Sequence, residues 1–125
     1  LNNAIFHAFR DEANESKNQT HSDAPFTDDE ELQVLWAADE TVGALAVVDN
    51  QGLLSPHVVW DRFFRQTSLK GILDTNGRGL YLAHLLSQLL LVTVIPGVRT
   101  QITTLFFPHA KAEDRAVCFR VFPRI

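Results

Sequence analysis

The chain has 125 residues, of which 46% are hydrophobic, enough for one compact core built from helices and strands. The formal net charge of −4 is unevenly spread, because residues 10–31 hold eight of the fifteen acidic side chains and only Arg10 and Lys17 as bases. The remaining seven acids and nine bases form no dense basic stripe, which excludes an ordinary nucleic-acid-binding module.

Residues 1–9 predict a helix, with Leu1, Ile5, Ala8 and Phe9 at helical spacing. Residues 10–31 are polar and acidic and read as a loop. Two apolar runs, 32–38 and 42–48, flank Asp39-Glu40-Thr41 and predict a β-hairpin. Asp49-Asn50-Gln51-Gly52 is a turn. Ser55-Pro56 is an N-cap followed by Pro at the first helical position, so 57–65 is expected to be a short helix with a loop over 67–76 behind it. Gly77-Arg78-Gly79 opens an expected long helix over 80–92, with a buried stripe of leucines at 82, 85, 86, 89 and 90. Two further runs, 98–107 and 116–122, are expected to be antiparallel strands joined by the polar loop 108–115. The whole predicts a single α+β domain, 1–125, with helices on one face of a sheet.

Three constellations stand out chemically. Asn3 and His7 lie four apart on one helical face, and an Asn carboxamide oxygen suits Mg²⁺. Equally, Asn3 reads as a surface cap and His7 as a satisfied half-buried side chain. Asp49 ends a strand beside Gly52: a carboxylate there accepts from an exocyclic amine, and the glycine lets backbone approach a flat ring. Ordinary turn chemistry accounts for the same residues. Gly77-Arg78-Gly79-Leu80 places glycines before a helix, whose free N–H groups attract phosphate, with Arg78 as a charged donor; turns also need glycine for conformation alone.

In order and spacing these segments resemble the GHKL superfamily of ATPases and kinases. Asn3-Ala4 with His7 looks like its N-box, Asp49-Asn50-Gln51-Gly52 stands where its Asp-x-Gly-x-Gly box falls, and Asp61-Arg62-Phe63-Phe64-Arg65 is similar to the F-box region of histidine kinases. Gly77-Arg78-Gly79-Leu80-Tyr81-Leu82 matches the second glycine box, Gly-x-Gly-Leu-x-Leu. The resemblance runs from Leu1 to about Pro108. It implies a Bergerat-type fold, a two-layer sandwich with a mixed, mostly antiparallel sheet, that binds ATP and Mg²⁺. By position, Asn3 would be the Mg²⁺ ligand, His7 would lie near the nucleotide, and Asp49 with Gly52 would meet adenine. Gly77, Arg78, Gly79 and Leu80 would frame the phosphates under a lid at 67–76, and Thr103 or Thr104 would approach the adenine. The sequence departs from the pattern at Gln51 and Leu53, which replace both glycines of the first box, and at Phe6. The usual general-base position precedes Leu1, so no catalytic residue is assigned.

The implied activity is that of a signalling protein kinase domain. A two-component histidine kinase type is favoured by the F-box-like segment, and an anti-sigma-factor-like serine kinase by the helix start at Gly77. A degenerate, non-catalytic interaction domain is the third reading. The implied partner is a protein substrate or phospho-acceptor domain, with homodimerisation through an upstream region. The absence of an initiator Met suggests a piece of a longer protein. No membrane contact is expected, since the longest apolar run, 85–94, is interrupted by Ser87, Gln88 and Thr93. Lone Cys118, expected to be a buried inert thiol, and the lack of a signal peptide pattern suggest a cytoplasmic setting. Scattered histidines give no metal spacing; His84 is expected to be a helix packing residue.

Overall fold

The computed structural model describes residues 28–67, 78–111 and 113–123. Five strands form one mixed sheet: β1 (Leu32–Ala38), β2 (Gly43–Asp49), β3 (Leu89–Ile95), β4 (Arg99–Phe106) and β5 (Ala116–Val121), in the spatial order β1-β2-β4-β3-β5. Two helices, α1 (Pro56–Thr67) and α2 (Arg78–Leu86), separate the first hairpin from the remaining strands. The architecture is α+β.

The hairpin forms as expected. Its Asp39 carboxylate accepts from the Thr41 and Val42 N–H groups at 2.7 and 2.9 Å, closing the turn so that Ala38 pairs with Gly43. The start of α1 also follows the sequence. The Val59 N–H donates to the Ser55 carbonyl at 3.2 Å, which places Pro56 at the first helical position, where its missing N–H costs nothing.

The long helix expected over 80–92 is corrected. It ends at Leu86, and Leu89–Ile95 is a strand. The Ser87 hydroxyl donates to the Ala83 carbonyl at 2.6 Å, satisfying one of the last helical acceptors, and the Gln88 N–H leaves the helix for the Leu105 carbonyl at 3.0 Å. Beyond that point burial alternates residue by residue: Leu90, Val92 and Val94 are buried and their neighbours half-buried. The buried leucine stripe is corrected too, since Leu82, Leu85 and Leu86 are exposed, Leu86 by 72%.

The last two strands are not a pair. β5 lies parallel to β3, whereas β4 lies antiparallel on β3's other side. Gln88 organises this crossover. Its carbonyl accepts from the Ala116 N–H at 2.8 Å, and its side-chain oxygen accepts from the Phe107 N–H at 2.9 Å. It therefore fixes both ends of the connection that passes the start of β3.

Both helices pack on the sheet face that carries Leu90, Val92 and Val94. There they meet Leu54, Val59 and Leu80, with Phe63, Ile102 and Phe119 at the margin. Phe63 links α1 to α2 through edge contacts with Tyr81 and His84, at centroid separations of 6.2 and 5.6 Å. His84 is thus a packing residue. Cys118 is free and half-buried rather than fully buried. No helix among the described residues is long and apolar enough to cross a membrane.

Candidate functional site

The sheet register brings Asp49, at the end of β2, opposite Thr100 on β4, which is itself opposite Val94 on β3. By strand alternation these side chains share the helix-covered face. Asp49 is 6% and Thr100 2% exposed. The Asp49 Oδ1 accepts from the N–H groups of Gln51 and Gly52 at 2.9 and 3.1 Å, an Asx-type turn. The Thr100 Oγ1 is buried and makes no hydrogen bond among the described residues. A buried hydroxyl without a partner is uncommon, and here it sits across from a carboxylate at the sheet's end.

Gly52 belongs to the same corner but acts on the protein's own backbone. Its φ is +63°, and a Cβ there would collide with the Ile95 carbonyl oxygen and stand 2.7 and 2.8 Å from the Val98 and Arg99 nitrogens. The β3–β4 turn it abuts runs Ile95-Pro96-Gly97-Val98. The Val98 N–H donates to the Ile95 carbonyl at 2.9 Å, and Gly97 has φ +69°, the geometry of a type II turn. The Gly97 N–H donates to the Gly52 carbonyl at 3.2 Å, which locks the two turns together.

A groove of about 440 Å³ opens at this end of the sheet. Its apolar lining is Val48, Ile95 and Val98. Glu31, Gln33, Asn50 and Arg99 supply polar groups, and Asp49 borders it. Gln33, Val48, Ile95 and Arg99 share the sheet face opposite the helices, as register and alternation require. The groove thus opens on the sheet face opposite the Thr100 side chain, with Asp49 at its border.

The expected site residues distribute unevenly. Asn3, His7 and Gly77 lie outside the described residues, as do residues 68–76 of the expected lid. Arg78 and Gly79 stand in the first turn of α2, with Gly79 exposed. Leu80 is a core residue, 6% exposed, clustered with Leu54 and Val94. Thr103 sits opposite Ala46, on the face away from Asp49, and its hydroxyl accepts from the Gln101 side-chain amide at 3.1 Å. Thr104 returns to Asp49's face but donates to the Leu45 carbonyl at 3.2 Å. Thr100 is the threonine that the register sets beside Asp49. The Pro96-Gly97 turn carried the signal for it, because that turn divides 89–106 into two paired strands.

The Gln51 side-chain amide donates to Asn50 Oδ1 at 2.9 Å. Among the described residues no three of His, Cys, Asp and Glu gather as a metal-ligand cluster. No protein-family model, curated protein or solved structure matches this chain.

Proposed function

We propose that the chain is a GHKL-type domain that binds ATP with Mg²⁺ and serves as the nucleotide-binding part of a signalling protein kinase. The observation that supports this most is the buried, unpartnered Thr100 hydroxyl standing opposite Asp49 at the end of the helix-covered face. A carboxylate accepts from an exocyclic amine and a hydroxyl both donates and accepts, so the pair suits the polar edge of adenine. The mixed sheet with helices on one face, and a Gly-Arg-Gly segment leading into α2, are consistent with a Bergerat-type arrangement. Asp49 and Thr100 would hold the base and the start of α2 the phosphates, while Asn3 would supply the Mg²⁺ ligand. Bound Mg²⁺ would neutralise phosphate charge. This reading keeps the histidine-kinase type ahead of the anti-sigma serine-kinase type, with an external protein as phospho-acceptor.

A second reading, a non-catalytic interaction domain on the same scaffold, is favoured by one specific observation. Asp49 Oδ1 and Gly52 are both engaged in holding the turn together.

Calorimetric titration with a non-hydrolysable ATP analogue, with and without Mg²⁺, separates the two. The kinase reading expects micromolar binding that weakens without Mg²⁺, falls at least tenfold in Thr100→Val and is unchanged in Thr103→Val. A folded wild-type protein that binds no nucleotide leaves the interaction domain standing.

A further inference from the structure

We propose that the groove on the open sheet face is a binding site for a small amphipathic monocarboxylate, its apolar body against Val48, Ile95 and Val98 and its carboxylate on Arg99. This does not rest on the nucleotide reading, because the contacts proposed are with Val48, Ile95, Val98 and Arg99, and Asp49, which also lines the groove, has no role in them. Four observations carry it.

The volume, about 440 Å³, falls in the range of small-molecule sites, on the order of 300–1,000 Å³. The lining combines three apolar side chains, Val48, Ile95 and Val98, with five polar or charged residues, so it offers an amphipathic ligand both kinds of contact. The charges are unequal in availability. Glu31's carboxylate accepts from the Gln33 amide, whereas Arg99 is exposed and makes no ion pair among the described residues. A planar guanidinium with free N–H groups beside apolar surface selects a carboxylate. Glu31 and Asp49, the two carboxylates of the lining, disfavour a second negative charge, so a monoanion held by Arg99 is preferred over a dianion.

The walls are also held in place before any ligand arrives. Gly52 and the 95–98 turn are locked together by the 3.2 Å Gly97–Gly52 bond. Asn50 ties the 29–31 segment to the end of β2, donating to the Asp29 carbonyl at 2.7 Å and accepting from the Glu31 N–H at 3.0 Å. Little conformational entropy is then left to lose on binding.

The probe is 2-naphthylacetate, compared with its neutral primary amide and with 2-naphthylmethyl phosphate, titrated into the ¹⁵N-labelled 125-residue chain. Shift changes are expected at Gln33, Val48, Val98 and Arg99. The acetate is expected to bind at least tenfold more tightly than the amide and more tightly than the phosphate. Arg99→Gln should remove at least tenfold of the acetate affinity. Arg120→Gln, an exposed arginine on the same open face, should leave it unchanged. Circular dichroism confirms that each variant is folded, which the exposure of both arginines favours. Absence of saturable shifts, shifts centred elsewhere, equal binding of amide and acetate, tighter binding of the phosphate, or equal loss in both arginine variants would overturn the proposal.

Discussion

Gly52 is the residue whose replacement the structure forbids most clearly. Its φ of +63° is open to glycine at little cost, and its missing Cβ leaves room for the Ile95, Val98 and Arg99 backbone. Gly52→Ala therefore strains both turns at once and is expected to cost about 2–4 kcal/mol, read as a lower urea midpoint with an unchanged slope. At His84 the sign of the pH dependence follows from its surroundings. Burial pushes the imidazole below its ordinary value of 6.5, and Arg115 lowers it further. The unfolded chain then binds a proton at higher pH than the folded one does. His84's contribution is fully present above pH 6.5 and is lost as the pH falls below it. His84→Phe, which keeps a ring against Phe63, should flatten the fall in melting temperature between about pH 6.5 and 5. A parallel pH profile in the variant would show that other groups carry the dependence.

At the scale of elements, β3 is the centre of the fold. It pairs with β4 on one side and β5 on the other, and its Leu90, Val92 and Val94 face both helices. Leu90 is fully buried. Leu90→Ala removes three carbons from a site with little freedom to collapse, so the expected loss is about 3–4 kcal/mol by chemical denaturation. Exposed Leu86, four residues away on α2, should tolerate the same change within about 0.5 kcal/mol. The contrast checks the boundary between helix and strand directly. A helix running through residue 92 would give no reason for Leu90 and Leu86 to differ in this way.

For the whole molecule, one cluster of buried residues joins both helices to the sheet, and there is no second core among the described residues. A shared core predicts a single cooperative transition. The two tryptophans report from different layers, Trp36 on β1 at 80% exposure and Trp60 on α1 at 40%. Urea transitions followed in Trp36→Phe and Trp60→Phe variants by fluorescence should coincide with the far-UV circular dichroism transition. Separate midpoints would mean that the hairpin opens independently of the helical layer. β1 also gives the sheet an unusual edge: it carries no charged residue, and Val34, Leu35 and Trp36 are all exposed. The opposite edge, β5, carries Arg120 and is followed by Pro123, the features that commonly discourage strand pairing.

Local chemistry alone determined the α+β class, the first hairpin and the start of α1. Asp39, Thr41, Ser55 and Pro56 act within a few residues of themselves, and their preferences need no distant partner. The same holds for the turn at Asp49, whose carboxylate bonds the next two backbone groups as such turns ordinarily do. What lay beyond reach were the features that depend on which strand lies beside which. A run of leucines and valines from 85 to 94 satisfies either a buried helix or a buried strand by composition. Pairing with β4 and β5 is what makes residues 89–95 a strand. Register likewise decided that Thr100, and not Thr103, faces Asp49, because a one-residue step along a strand moves a side chain to the opposite face. The open-face groove exists only because the residue 31 segment, the end of β2 and the 95–98 turn meet in space across more than sixty positions of sequence.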